Sequence, residues 1–239
     1  IVFKVTEIDS NAFENCQHLE SITLPDTIIK IGDCAFENCE NLTSINIPIG
    51  VAEIGERAFC GCNLQSIIIP KSVKVIGKYA FSCGNNLAEI KIAAQKTQYD
   101  SRNNCNAMIE TTSNNLIIGC KNTIIPNDVK IIKQLAFVDS SLTSIIIPPN
   151  VTEIEEWAFA RCNLTIIKIP DSVTHIGESA FCECYFLESV SLNHTTKIIE
   201  DSTFQQCVNL TSIVIPNNIN SIGKKAFEDC ISLTSITLH

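Results

Sequence analysis

Basic residues, glycines and long apolar stretches are all scarce in this 239-residue sequence. It has 17 Lys and Arg against 26 Asp and Glu, which gives a formal net charge of −9. Binding of nucleic acid or another polyanion needs clustered cationic side chains, so this charge balance argues against that class of function. No run of 18 apolar residues occurs, and we therefore expect no membrane span in this chain.

The short motifs that hold nucleotides or catalytic metals are also missing. The sequence has only nine glycines, and it contains no P-loop, no dinucleotide-binding fingerprint and no H-E-x-x-H. The four histidines do not pair by spacing with a nucleophile and an acid, as a catalytic triad would require. They are His18, His175, His194 and His239. We therefore predict no catalytic residue, no cofactor and no enzymatic activity.

Aromatic residues are few, yet phenylalanine recurs at a regular spacing. Aromatics make up 6% of the chain, with 11 Phe, 3 Tyr and 1 Trp. Nine of the phenylalanines follow one another at intervals of 23, 23, 22, 56, 22, 22, 23 and 23 residues. They are Phe13, Phe36, Phe59, Phe81, Phe137, Phe159, Phe181, Phe204 and Phe227. Self-similarity at a fixed period is the signature of a repeat protein.

Each repeat follows the pattern V-x-x-I-G-x-x-A-F-x-x-C-x-x-L-x-S-I-x-I-P. The S-I-x-I part alternates with period two and predicts a β-strand with one buried face. Proline follows this strand in seven copies, where its missing amide donor ends the ladder. The A-F-x-x-C-x-x-L part has helical spacing, long enough for one or two turns, and V-x-x-I-G sends two apolar residues inward.

A unit of 22 or 23 residues cannot bury its own apolar face, whereas stacked units can. We therefore predict a repeat solenoid of about ten coils. A parallel β-sheet forms one face, and short helical turns and short strands form the other. Residues 1–239 are expected to make one domain.

Seven of the thirteen cysteines stand three residues after a repeat phenylalanine. Adjacent coils lie within reach of a disulfide, but each sulfur forms only one bond, so such bonds cannot link every neighbour. Buried cysteine behaves as a small apolar side chain, and we interpret the seven as one structural thiol column. Its members are Cys16, Cys39, Cys62, Cys162, Cys184, Cys207 and Cys230. The C-x-C pairs lack the spacing and the second ligand pair of a zinc site, so we predict no metal.

With these residues in view, the chain resembles the BspA-type leucine-rich repeat family. The resemblance is carried by "SVTHIGESAFCECYFLESVSL" (172–192) and its eight relatives, and it covers essentially the whole chain. It implies a leucine-rich repeat fold. Because members occur as secreted or surface-attached proteins, some of them implicated in adhesion, it also implies a secreted or cell-surface location. The chain opens on "IVFKVTEIDSNAF", which has the character of the middle of the repeat pattern, so we expect no signal peptide in this stretch. A secreted protein that has lost its export signal and a cytoplasmic protein would both begin in this way.

One segment, residues 93–126, departs from the regular spacing. The strand ends Ile92 and Ile125 are 33 residues apart, one 22-residue repeat plus 11, so we expect the solenoid to continue through an enlarged irregular coil. "NAMIE" and "NLIIG" flank the polar "TTSN" and predict a β-hairpin. Asp100 and three nearby asparagines offer oxygen ligands, but the glycine and glutamate of a calcium-binding loop are absent.

The outward positions of the strands are the candidate partner-binding face. In S-I-x-I the Ser and the x point outward, and the middle coils carry apolar residues and two lysines there. The predicted contact residues are Ile68, Lys91, Ile124, Ile146, Ile166 and Lys168. Contiguous exposed apolar surface marks contact sites, but exposed strands also favour β-branched residues for their own sake.

These observations leave two functional interpretations. The first, implied by the resemblance, is a non-enzymatic, adhesin-like surface protein that binds a host protein or a protein of a neighbouring cell. The alternative is a structural spacer or surface-layer scaffold with no ligand of its own.

Overall fold

The computed structural model describes residues 4–82, 84, 86–93 and 98–239. The described residues form eighteen strands and one 3₁₀ helix, arranged in about ten stacked coils. This arrangement confirms the predicted repeat solenoid.

The V-x-x-I-G segments form strands of two residues, which stack in parallel from coil to coil. In the first four coils Ile8, Ile31, Ile54 and Ile76 pair in register, and each position is equivalent to the next. Because every residue pairs with its counterpart one repeat later, the isoleucines form an inward-facing column. The strands are β1 (Glu7–Ile8), β2 (Lys30–Ile31), β3 (Glu53–Ile54), β5 (Val75–Ile76), β10 (Ile131–Ile132), β11 (Glu153–Ile154), β13 (His175–Ile176), β15 (Ile198–Ile199) and β17 (Ser221–Ile222).

The S-I-x-I segments form the longer strands, which pair in parallel as β4–β6, β12–β14 and β16–β18. Their bounds are β4 (Ser66–Ile69), β6 (Glu89–Ile92), β12 (Ile166–Lys168), β14 (Ser189–Ser191), β16 (Ser212–Ile215) and β18 (Ser235–Leu238). Burial alternates along β4 and β16, so the isoleucines of the pattern face the core. The remaining S-I-x-I segments are not strands, although Ile47 and Ile147 in them are also buried.

The segment around each repeat phenylalanine is a pair of tight turns in place of the predicted helical turns. Left-handed residues stand two positions before and two after the phenylalanine, as Cys34 (φ 54°) and Asn38 (φ 57°) do around Phe36. A right-handed helix does not continue through such residues. The backbone amides of these turns donate to carbonyls of the next coil. The N–H of Phe36, for example, donates to the carbonyl of Ala58 over 2.8 Å. Each of these segments is called an aromatic turn below.

The phenylalanine rings form two stacks inside the solenoid. From Phe13 to Phe81 consecutive ring centroids are 5.1, 5.3 and 5.5 Å apart. From Phe137 to Phe227 the distances are 4.9, 5.3, 5.6 and 5.6 Å. The hydrophobic core also divides into two main clusters between these two stacks, where the irregular segment enters.

The irregular segment adds strands to the short-strand side of the solenoid. β7 (Tyr99–Asp100) pairs antiparallel with β8 (Ala107–Glu110), and β8 pairs antiparallel with β9 (Asn115–Gly119). β9 then pairs in parallel with β10, which returns the chain to the regular coil. Residues 94–97 lie outside the described part of the chain.

Arg102, in the 3₁₀ helix Arg102–Asn104, anchors this segment to the coil that follows. Its Nε lies 2.8 Å from a carboxylate oxygen of Asp100, and its Nη1 lies 2.5 Å from one of Asp128. The same Nη1 donates to the side-chain oxygen of Asn114 over 2.8 Å. One guanidinium thereby joins β7, the hairpin turn and the next coil.

The coil that contains β9 has no aromatic turn. Gly119 occupies the position that phenylalanine holds elsewhere, because its N–H donates to the carbonyl of Ala136 over 2.8 Å, as Phe36 does to Ala58. A Cβ atom on Gly119 would lie 2.0 Å from Cε1 of Phe137. The ring column is therefore interrupted between Phe81 and Phe137.

Candidate partner-binding face

The structure places all six predicted contact residues in exposed positions. Ile68, in the exposed x position of β4, pairs in register with Lys91 of β6. Ile146 and Ile124 are the most exposed of the four isoleucines in the set, at 86% and 74%. Ile166 stands one outward position earlier on its strand than Lys168, so it extends the face sideways along the strand. Partner binding at this face stays a prediction, and the exposed side chains can be tested by substitution.

The two lysines differ in their electrostatic surroundings. The Nζ of Lys91 lies 2.6 Å from Glu89 Oε1, two residues earlier on the same strand, so the two charges compensate each other locally. Lys168 has no carboxylate within ion-pair distance among the residues that the structure describes. The cationic character of the face therefore comes mainly from Lys168.

Exposed β-branched residues also occur on the short-strand side of the solenoid. Ile29, Val75, Ile198 and Ile222 are between 42% and 54% exposed there. Exposed isoleucine is thus common to both sides. What distinguishes the proposed face is the greater exposure of Ile124 and Ile146, which are on consecutive coils.

The thiol column has one repeated contact. In six of its seven members the Sγ–H donates to the carbonyl of the phenylalanine in the preceding coil, over 3.0 to 3.3 Å. These six thiols are buried and free. The six are Cys39, Cys62, Cys162, Cys184, Cys207 and Cys230. Cys83 lies outside the described residues.

Cys16 differs from the rest of its column, because its side chain is exposed. The interpretation of all seven cysteines as buried apolar residues is wrong for this one. The aromatic turn of Phe13 is the first among the described residues, and within them no phenylalanine carbonyl lies on the preceding side of Cys16. Among the buried thiols, desolvation raises the pKa of Cys62 to about 12, and it also raises the pKa of Cys162 and Cys184.

Other clusters of polar side chains are sparse. Within the described ranges, no three His, Cys, Asp or Glu side chains converge as metal ligands would. His194 and His239 border the same shallow groove beside β14 and β16. His175 lies apart from them, with its Nδ1 4.0 Å from Oε1 of Glu200. In the same part of the chain, no helix has the length and apolar character needed to span a bilayer.

Two features escaped the sequence analysis. The 56-residue interval between Phe81 and Phe137 signalled a lost repeat phenylalanine, but only the coordinates show that Gly119 takes its place. The pairing of Lys91 with Glu89 could have been predicted from their i, i+2 spacing on one predicted strand face, but the structure was needed to show that the two charges meet.

A family model described as "BspA type Leucine rich repeat region" matches residues 6–119 and 114–234 in six copies. Among curated proteins, no sequence matches this chain significantly.

Solved structures of bacterial repeat proteins resemble the fold described above. A leucine rich cell surface protein from Faecalibacterium prausnitzii is 30% identical, with a TM-score of 0.70; the match covers 98% of this chain and 63% of that protein. A leucine-rich repeat protein from Eubacterium ventriosum is 25% identical, with a TM-score of 0.80 and coverage of 97% and 70%. The pneumococcal vaccine antigen PcpA, at 21% identity and a TM-score of 0.68, shares the fold; the match covers 98% of this chain and 54% of the antigen.

The chain thus spans less than two thirds of the F. prausnitzii cell surface protein that it resembles. Its family model covers nearly every described coil, including the one that lacks an aromatic turn. On this evidence the chain belongs to the BspA-type leucine-rich repeat family.

Proposed function

We propose that this chain is a non-enzymatic binding protein, secreted or held at the cell surface, that contacts a host matrix protein or a protein of a neighbouring cell. Family membership and the similarity to a leucine rich cell surface protein support the surface location. The binding role is supported mainly by the exposure of Ile124 and Ile146 on consecutive coils of the strand face.

The chemistry of this face suits a protein partner. Its centre is aliphatic, and Lys168 provides a cationic edge, a combination that buries apolar area while setting orientation through charge. The six proposed residues include no aromatic side chain on which a sugar ring would stack. We therefore place a protein ahead of a glycan as the partner.

The test is a binding panel with a matched pair of variants. Immobilised protein is exposed to fibronectin, fibrinogen, collagen, mucin and a glycan array. Ile146→Asp puts a charge at the centre of the face, and Thr23→Asp puts the same charge at an exposed position of the same column near its polar end. We expect saturable binding to a protein that Ile146→Asp abolishes and Thr23→Asp retains.

The spacer interpretation makes the opposite prediction. It is favoured by the similar β-branched residues on the short-strand side, because such residues suit exposed strands without any partner. A spacer shows no saturable binding across the panel, and neither variant changes its behaviour. Binding that survives Ile146→Asp would reject the proposed face while keeping the binding role.

A further inference from the structure

Apolar side chains recur at one corner of the three coils nearest the C-terminus. In the loop between each aromatic turn and the next long strand, the residue four positions after the repeat phenylalanine is Tyr185, Val208 or Ile231. The N–H of each donates to the carbonyl two residues before it, over 2.8 or 2.9 Å, so the three share one backbone turn. Phe186 follows Tyr185 directly. These four residues are called the corner patch.

The two aromatic rings of the corner patch are open to solvent in the middle of the solenoid wall. Tyr185 is 43% exposed and Phe186 is 51% exposed. Their coil is bonded on both sides: the N–H of Arg161 in the coil before it donates to the carbonyl of Cys182 over 2.8 Å, and the N–H of Glu183 donates into the coil after it over 2.7 Å. The exposure of these rings is therefore a property of the corner itself.

The backbone of this loop does not require apolar residues. The first described coil has Gln17 and His18 at the positions of Tyr185 and Phe186, and both are exposed. The N–H of Gln17 makes the same turn, because it donates to the carbonyl two residues before it over 2.8 Å. Exposed apolar side chains that the local fold does not need are typical of a contact surface.

The loops that carry the corner patch are acidic. They contain four carboxylates and no lysine or arginine. The loops are residues 182–189, 205–212 and 228–235. Glu228 is compensated by Lys225, whose Nζ lies 3.2 Å from its Oε2. Among the described residues, Glu183, Glu188 and Asp229 have no cation within ion-pair distance. The patch thus combines apolar area with an uncompensated negative charge.

Tyr185 and Glu183 are held side by side. The Tyr185 hydroxyl donates to Oε2 of Glu183 over 2.6 Å, and this hydrogen bond raises the pKa of Tyr185 to about 12, so the phenol stays the donor at neutral pH. Arg161, in the preceding coil, is already paired, with its Nε 2.7 Å from Oδ1 of Asp139. An exposed ring beside a free carboxylate suits a guanidinium group, which stacks on the one and pairs with the other.

We propose that the corner patch binds a basic segment of a partner protein. An arginine of the segment stacks on the ring of Tyr185 and pairs with Glu183, and its apolar side chains cover the rest of the patch. A second copy of this chain, with its net charge of −9, would bring carboxylates together, and an anionic membrane would do the same. Three coils span about 10 Å, the length of about three extended residues. The site is separate from the strand face and does not rest on the proposed function.

The probe is an acetylated and amidated peptide, Gly-Arg-Leu-Arg-Leu-Arg-Gly. One control peptide replaces each arginine by citrulline, which keeps the planar side chain but carries no charge. A second replaces each leucine by serine. The isotope-labelled 239-residue protein is titrated with each peptide and followed by NMR. We expect saturable shifts of the Tyr185, Phe186 and Val208 amides with the probe, and binding about tenfold weaker or less with either control.

Other results would overturn the proposal. These are no saturable shifts at millimolar probe, equal binding of the citrulline peptide, or shifts spread over the acidic surface without a maximum at the corner patch. Shifts of the patch amides by a member of the glycan array, with none by the probe, would assign the patch to a sugar. Patch signals that change with protein concentration in the absence of peptide would assign it to self-association.

The chain supplies its own substitutions for the test. The double variant Tyr185→Gln and Phe186→His copies the first described coil, and Glu183→Gln copies the next coil, where Gln206 has the same left-handed backbone. Each should fold like the parent and bind the probe about tenfold more weakly.

Two matched controls locate the effect. Glu40→Gln removes a carboxylate from the equivalent loop of an N-terminal coil, and Ile146→Asp alters the strand face. Both should bind the probe like the parent. Circular dichroism confirms that each variant is folded. Unchanged binding by both Glu183→Gln and the double variant would overturn the proposal.

Discussion

Gly119 lies so close to the ring of Phe137 that a Cβ atom on it would be 2.0 Å from Cε1. Both residues are buried, so the ring has little room to move away. We expect Gly119→Ala to lower the free energy of unfolding by about 1–3 kcal/mol, as overpacking of a core does. Urea denaturation followed by circular dichroism measures the change.

Gly50→Ala is the matched control for this substitution. Its added Cβ would lie 3.2 Å from the nearest atom, the carbonyl oxygen of Ile28, so a small adjustment accommodates it. Equal destabilisation by the two variants would show that loss of glycine, and not the contact with Phe137, causes the effect.

Phe181 occupies the middle of the second ring stack. Its centroid is 5.3 Å from that of Phe159 and 5.6 Å from that of Phe204, and its side chain is fully buried. Phe181→Ala removes both stacking contacts and leaves a cavity, so we expect a loss of about 3–5 kcal/mol in unfolding free energy. Phe186→Ala, at a position 51% exposed, should change it by less than about 0.5 kcal/mol. A small effect of Phe181→Ala would contradict the stack as a source of stability.

Thiol reactivity should separate Cys16 from the rest of its column. A maleimide reagent should label Cys16 quickly in the native protein, because its side chain is exposed, and the six buried column thiols slowly. Unfolding in denaturant without reductant should make Cys16 and the six buried column thiols all reactive, since these seven are free. Mass spectrometry after digestion locates each label. Native labelling of Cys162 or Cys184, or a shortfall after denaturation, would contradict this description.

Stability should fall in alkaline solution. Desolvation raises the pKa of Cys62 to about 12 in the folded protein from an ordinary value of 9.0, so above pH 9 the unfolded chain loses this proton first. The stabilising contribution is therefore complete below about pH 9 and is lost as the pH rises towards 12, by about 1.4 kcal/mol per pH unit for each such thiol. The urea midpoint of unfolding, measured with reductant at pH 7, 9 and 10.5, should therefore fall between pH 9 and pH 10.5. In Cys62→Ala the decline should be shallower, and an unchanged slope would contradict the assignment.

Arg102 should stabilise the irregular segment more than its single charge suggests. Its side chain is 21% exposed and reaches Asp100, Asn114 and Asp128. Arg102→Ala leaves the largely buried carboxylate of Asp100 without its cation, so we expect a loss of about 1–3 kcal/mol. Hydrogen exchange of the β8 and β9 amides should accelerate in parallel. Arg102→Lys keeps the charge but loses the planar guanidinium, so its unfolding free energy should lie between those of the parent protein and Arg102→Ala.

Much of this fold could be predicted from spacing alone, because the contacts that matter repeat along the chain. Phe36, Phe59 and their equivalents recur at nearly constant intervals, so each must stack on the next once the coils stack. The outward direction of Ile68 and Ile146 followed in the same way from the period-two alternation of S-I-x-I. Partner binding at these positions stays a prediction.

The aromatic turns were less predictable, because the spacing of A-F-x-x-C fits a helix as well as two successive turns. The choice depends on where the amides find acceptors. In the solenoid the N–H of Phe36 meets the carbonyl of Ala58 in the next coil, so hydrogen bonds between coils replace those within a helix.

The sequence by itself determined the repeat, the solenoid and the set of residues that face inward, since these depend on a period written into the chain. Tertiary structure decided what happens where the period fails. Cys16 is exposed although it shares its motif with buried thiols, and Gly119 interrupts the ring column between Phe81 and Phe137. The physical reason is that a coil buries its side chains and pairs its amides only against its neighbours. A residue's environment therefore depends on the coil beside it as well as on its own motif.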